Sequence, residues 1–222
     1  MGQKIRLTAG DGFHLDAYRA DPPGKPRGGL VVIQEIFGVN AHIREVVDEY
    51  AAEGYLTVAP AFFDRVKPGV ELGYDAPGIN RGRELMMELR PDNVLHDIQA
   101  GIAAVASAGK VGAIGYCWGG TMAYFAAAHT NNAAAVSYYG GRITQYLRDT
   151  PRCPIMYHFG ELDKSIPDSM IQQIRDARPQ GIFYQYKGAD HGFNCSHRST
   201  YEPKSAALAK ERTLKFLREH LG

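Results

Sequence analysis

The stretch Val111-Gly112-Ala113-Ile114-Gly115-Tyr116-Cys117-Trp118-Gly119-Gly120 decides how the rest of the chain is read. Its first six residues read as an apolar strand. From Cys117 to Ala128 the residues are small and predict a helix. A cysteine stands between two glycines at the change from strand to helix, as Gly115-x-Cys117-x-Gly119. This is the nucleophile-elbow pattern with Cys in place of Ser. Such a turn is sharp and strained, and its flanks pack so closely that only glycine fits. It delivers the sulfur to a helix N-terminus, where the dipole favours thiolate. It also aims the amide of Trp118 at the place where an oxyanion would form.

Outward from the elbow, strand-like and helix-like segments alternate, which predicts an α/β fold with a mostly parallel central sheet and helices on both faces. Residues 3–8 and 13–20 read as two strands joined at Asp11-Gly12, a hairpin signal. Residues 29–34 (GLVVIQ) are a nearly continuous apolar run, as expected of a strand covered on both faces, and 56–59, 134–139, 155–159 and 182–186 read as further strands. Helical spacing of apolar residues marks 42–53, 91–107, about 167–177 and about 203–220. The Gly/Pro-rich stretch 63–82 is expected to be a folded loop after a strand, placed where ligands bind in open α/β sheets. No repeat or low-complexity tract is present, so residues 1–222 are read as one domain.

A nucleophile needs a base, and the base needs an orienting carboxylate. After the strand ending at Phe159 comes Gly160-Glu-Leu-Asp163, and after the strand ending at Tyr186 comes Lys187-Gly-Ala-Asp-His191. Asp163 and His191 are therefore both expected in exposed loops past strand ends, on the same sheet edge as Cys117. The order nucleophile, acid, histidine is that of α/β-hydrolases. Glu161, Asp190 and His197 are neighbouring substitutes. Glu35 ends an apolar strand, where a buried carboxylate is expensive unless paired. Phe37, Trp118, Tyr138, Tyr139 and Phe193 are aromatic candidates for an apolar pocket or for the core.

The motifs QEIFGVN (34–40), GYCWGG (115–120), GELD (160–163) and HGFNCSHR (191–198) closely resemble those of the dienelactone hydrolase, or carboxymethylenebutenolidase, family. The resemblance spans nearly the whole chain. It implies a single α/β-hydrolase domain and a Cys-Asp-His triad of Cys117, Asp163 and His191. It further implies hydrolysis of a carboxylated lactone through a thioester. Glu35 matches a family glutamate near the nucleophilic thiol and is expected to be a further catalytic residue, and Ile36 would supply the second oxyanion amide. Arg81 and Arg198 fall at or near the positions of arginines that hold the substrate carboxylate, with Arg83 as the neighbour of the first. The implied substrate is a small lactone or ester, with no metal and no organic cofactor. The rival readings are a carboxylesterase of other substrate range and a redox-responsive thiol protein without hydrolase activity.

Composition sets the outer bounds. The 222 residues are 45% hydrophobic and 22% charged, the balance of a globular protein able to bury a large core. Lys plus Arg is 25 and Asp plus Glu is 24, a net charge of +1, which argues against a nucleic-acid or membrane-surface partner. No run approaches the roughly 18 apolar residues of a membrane span. The start enters a strand pattern without an apolar signal segment, and Arg6 breaks a myristoylation motif. Cys117, Cys153 and Cys195 include no C-x-x-C pair, which argues against a structural zinc site and for a reducing, cytoplasmic setting. The sequon-like Asn194-Cys195-Ser196 is read as chance. A monomer or small homo-oligomer is expected.

Overall fold

The computed structural model describes residues 1–222. The elements are β1 (Gln3–Thr8), β2 (His14–Ala20), β3 (Gly28–Ile33), α1 (Ala41–Ala52), β4 (Tyr55–Pro60), α2 (Ala76–Glu88) and α3 (Pro91–Val105). They continue as β5 (Val111–Tyr116), α4 (Trp118–His129), β6 (Ala134–Tyr138), β7 (Ile155–Gly160), α5 (Asp168–Ala177), β8 (Ile182–Tyr186) and α6 (Pro203–Leu221). All eight strands join one sheet in the order β1-β2-β4-β3-β5-β6-β7-β8. The pairs β1–β2 and β2–β4 are antiparallel, and every other pair is parallel.

The apolar run 29–34, expected to be covered on both faces, supplies β3, which is buried throughout. Every residue of β3, β4, β5, β6 and β7 is buried. Side-chain alternation divides the core: Leu30 and Val32 pack with α1 and α6, while Val31 and Ile33 pack with α3 and Trp118, Met122 and Ala126 of α4. The β1–β2 hairpin turns where Asp11-Gly12 predicts it. Gly12 has φ +83°, and the Asp11 side chain accepts the Phe13 amide.

The stretch 63–82 differs from the expected loop. Phe62–Arg65 makes a short 3-10 turn, and α2 begins at Ala76, inside the Gly/Pro-rich segment. Asp75 caps this helix by accepting the Gly78 amide, and Pro77 lies in its first turn, where its missing N–H costs nothing. Leu85 and Met86 then anchor the helix in the core. Gly82 is needed because a Cβ there would overlap the Ile36 carbonyl oxygen. This contact fixes the backbone just after β3, where Glu35, Ile36 and Phe37 lie.

Because the strands from β3 onward run in parallel, their carboxyl ends share one edge of the sheet. The segments leaving that edge carry Glu35–Phe37 after β3, Cys117 after β5, Tyr139–Arg142 after β6, Asp163–Ser165 after β7 and His191–Arg198 after β8. Ligands bind at this edge in open α/β sheets.

Candidate active site

Cys117 sits between β5 and α4 with φ 56° and ψ −119°, a left-handed-side conformation that a non-glycine residue rarely adopts. The turn around it explains the glycines. A Cβ on Gly115 would overlap the Gly119 carbonyl, and one on Gly119 would overlap the carbonyls of Ile33 and Gln34. Backbone bonds hold the strain: the Cys117 amide donates to Tyr138 O at 3.0 Å, and its carbonyl accepts from Gly120 and Thr121 at 3.0 and 3.3 Å.

The three residues predicted from separate loops are in register. His191 Nε2 lies 3.2 Å from Cys117 Sγ, and Nδ1 lies 2.6 Å from Asp163 Oδ2. Asp163 is buried at 3% exposure, not in an exposed loop as its sequence context suggested. The reason is that its carboxylate closes its own turn. Oδ1 accepts the Ser165 amide at 2.9 Å and the Ser165 hydroxyl at 2.5 Å. Burial disfavours the Asp163 charge, yet the His191 and Ser165 bonds outweigh it and hold this carboxyl below its ordinary range. Burial likewise opposes protonation of His191. The charges of Cys117 and Asp163 and their hydrogen bonds prevail, so the imidazolium is favoured well beyond the ordinary histidine range. Ser165 Oγ also lies 3.3 Å from His191 Nδ1. Sequence reading did not single out Ser165, although a serine two residues past a loop aspartate is an Asx-turn signal.

The neighbouring substitutes are used elsewhere. Glu161 accepts the Gly188 amide, Asp190 accepts the His191 amide, and His197 pairs with Glu45. Tyr139 is fully buried and packs its ring 5.1 Å from that of His191, so it backs that imidazole rather than facing the cleft.

A cleft of about 310 Å³ opens over the thiol. Its walls include Ile36, Phe37, Ile79, Arg83, Met86, Trp118, Thr121, Arg142, Ser165, His191 and Arg198. The Ile36 amide has no acceptor within the protein, and the Trp118 amide opens α4, where no intrahelical acceptor exists. One predicted placement changes here. Arg81 is not part of the wall; its guanidinium pairs with Glu84 at 2.8 Å on the outer face of α2. Arg83, two residues on, and Arg142, which sequence reading missed, are in the wall without a carboxylate partner.

Glu35 is buried and pairs with Arg198, Oε1 to Nη1 at 3.1 Å. It makes no hydrogen bond to the thiol, whose single partner is His191. Burial raises the Glu35 carboxyl above its ordinary range despite the nearby charges of Arg198 and His191. Its Oε2 has no partner at all. Arg198 is held from three sides: by Glu35, by the rings of Phe37 and Tyr74 at 5.7 Å each, and by Gly192, where a side chain would collide with the guanidinium.

Comparison with known proteins agrees with the fold. Residues 15–221 match the Dienelactone hydrolase family. The chain is 34% identical over 233 residues to the carboxymethylenebutenolidase of Pseudomonas putida, covering 98% of this chain and 96% of that one. It is 36% identical over 211 residues to a Synechocystis sp. protein assigned as a carboxymethylenebutenolidase, covering 86% of each. The crystal structure of a Klebsiella pneumoniae protein assigned as a dienelactone hydrolase superposes with a TM-score of 0.84 at 28% identity, covering 97% of this chain and 98% of that one.

Proposed function

The chain belongs to the dienelactone hydrolase family of hydrolases, and from that premise we propose that it opens a small lactone bearing a carboxylate, with Cys117 as nucleophile. The observation that carries this reading is the unbroken chain Cys117 Sγ–His191–Asp163 at the floor of a cleft containing unpaired arginines. The thiolate attacks the lactone carbonyl, forming a C–S bond while the oxygen takes the negative charge. The amides of Ile36 and Trp118 receive that oxyanion. The ring C–O bond then breaks, and the His191 imidazolium gives its proton to the leaving oxygen. A water, deprotonated by His191, attacks the resulting thioester; the C–S bond breaks and returns the thiolate with the open-chain acid. Asp163 holds the imidazole in the tautomer that serves both steps, and Ser165 holds Asp163.

Arg83 and Arg142 are the groups best placed to receive the substrate carboxylate, because neither is spent on a protein carboxylate. Arg198 is partly neutralised by Glu35. One observation favours a wider ester range. A groove of about 210 Å³ lined by Met86, Met87, Leu89, Val94 and Tyr146 continues from the cleft past Trp118 and Arg142. Flexible methionines accommodate apolar groups of varied shape. A panel of carboxylated lactones, neutral lactones and esters with growing alkyl arms separates the two. The reading predicts the highest kcat/KM for carboxylated lactones and loss of all activity in Cys117→Ala. Turnover retained in Cys117→Ala overturns the nucleophile assignment.

A further inference from the structure

His42 is an anomaly that the ester chemistry does not absorb. It sits in the first turn of α1, only 4% exposed, and both ring nitrogens lack any partner. Buried polar atoms are ordinarily satisfied, so an imidazole with two open positions calls for a ligand. Glu45 lies one helical turn on, at i+3, and so shares its helix face. The third group comes from the far end of the chain: His197, in the loop between β8 and α6, places Nε2 2.8 Å from Glu45 Oε2. The ring of His197 lies 5.6 Å from that of His42. Donor atoms of the three residues all fall within 4.8 Å of one another.

We propose that His42, Glu45 and His197 form a binding site for one divalent d-block cation of the zinc or cobalt class. Two imidazoles and one carboxylate are a donor set suited to such ions, with water completing a tetrahedral or five-coordinate shell. Bonds of 2.0–2.2 Å place donors about 3.3–3.5 Å apart, so closing on the ion needs side-chain shifts of roughly 1 Å. Glu45 and His197 are exposed and free to make them, while His42 is fixed by its burial. None of the three belongs to the triad, so the site is not the hydrolytic centre. It ties the β8–α6 loop to α1, and the residue after His197 is Arg198, partner of Glu35. Occupancy therefore restrains the loop that carries a cleft arginine. The sequence hid this cluster, because a His-x-x-Glu on one helix and a histidine some 150 residues later have no recognisable spacing.

The test is Co²⁺ titration of untagged, chelator-stripped protein in a Cys117→Ser background, which removes the competing thiol. Uptake is followed by the visible d–d absorption and by calorimetry. One equivalent is expected, displaced by Zn²⁺. His197→Ala and Glu45→Gln alter exposed side chains, so folding is retained; each should weaken binding at least about tenfold, as loss of a ligand must exceed loss of an outer-shell partner. His42→Asn should do the same. Absence of stoichiometric uptake, or unchanged affinity in His197→Ala, overturns the site.

Discussion

Glu35 and Arg198 form a buried ion pair at the edge of the cleft, 3.1 Å apart with side chains 1% and 17% exposed. The geometry places a carboxylate and a guanidinium from opposite ends of the chain, after β3 and after β8, at the cleft that holds Cys117. Removing one member of such a pair strands the other without solvent, at a cost of about 3–5 kcal/mol. Arg198→Ala should therefore lower unfolding free energy by about 3 kcal/mol or more in urea titration. Substituting both residues by neutral groups of similar shape, Glu35→Gln with Arg198→Met, should recover most of the loss. A single-variant cost below about 1 kcal/mol would show that Glu35 reaches water or protonates freely.

The hydrogen-bond chain makes a graded prediction for turnover. His191→Ala and Asp163→Asn should each lower kcat by roughly 10²–10⁴-fold, for loss of the base and for the wrong tautomer. Asp163→Asn should also destabilise the fold, because its carboxylate closes the Ser165 turn. Ser165→Ala removes one charge-assisted bond, worth about 1.5–3 kcal/mol where it is best made, so kcat should fall by about tenfold or more with KM little changed. Wild-type turnover in Ser165→Ala would reduce that hydroxyl to a turn-closing role.

Much of this site was legible because its parts are local. The elbow is a backbone demand, and the strained Cys117 with its two glycines is its direct expression. Strands β5 and β8 match the predicted 111–116 and 182–186, since an apolar or aromatic run bounded by turns leaves little choice. Helix α2 was hidden because Pro77, Gly78 and Gly82 argue locally against a helix, while its Asp75 cap and the anchoring of Leu85 and Met86 decide otherwise. Arg83 and Arg142 were hidden for a different reason. Which arginine faces a cleft depends on the rotation of α2 and on the loop after β6, and neither follows from spacing along the chain. Tyr139, open between pocket and core from sequence, lies in the core, fully buried with its ring 5.1 Å from that of His191.

The cleft arginines can be told apart by substrate charge. Arg83→Ala and Arg142→Ala should each reduce kcat/KM for carboxylated lactones by roughly 10–150-fold, the equivalent of a lost charge-assisted bond. Neutral esters should be nearly unaffected. Arg81→Ala should leave both classes unchanged, since that guanidinium is paired with Glu84 outside the cleft. Equal losses on charged and neutral substrates would assign Arg83 or Arg142 to shaping the wall.

Thiol labelling reads the site without substrate. Burial pushes the Cys153 thiol up to about 11 and, with the nearby Glu35 charge, that of Cys195 up to about 12. Both are therefore protonated and slow to alkylate at pH 7. Cys117 faces the cleft beside a charged His191 and should take up iodoacetamide first, with activity lost in proportion. Mass spectrometry showing Cys153 or Cys195 labelled ahead of Cys117 would contradict the assignment.

The last prediction concerns stability and lies away from the cleft. His158 in β7 is fully buried, with Nδ1 2.8 Å from the Tyr186 hydroxyl and Nε2 3.0 Å from Thr213 Oγ1, which in turn meets the Tyr138 hydroxyl at 2.7 Å. Burial, reinforced by the charge of Arg212, pushes its pKa down to about 3. The folded protein thus keeps the ring neutral where the unfolded chain, near 6.5, takes up a proton. More protons bind the unfolded state as pH falls, so the contribution of His158 is complete above about pH 6.5 and declines below it. The decline is about 1.4 kcal/mol per pH unit once the unfolded histidine is fully protonated, and it continues toward pH 3. Acid sensitivity should therefore begin well above the range in which ordinary carboxylates titrate. Replacing His158 by Asn removes the titrating group, so the variant, whatever its absolute stability, should show a stability–pH slope between pH 6 and 4.5 shallower by about 1.4 kcal/mol per unit. Parallel slopes for wild type and variant would mean that His158 accepts its proton within the folded core.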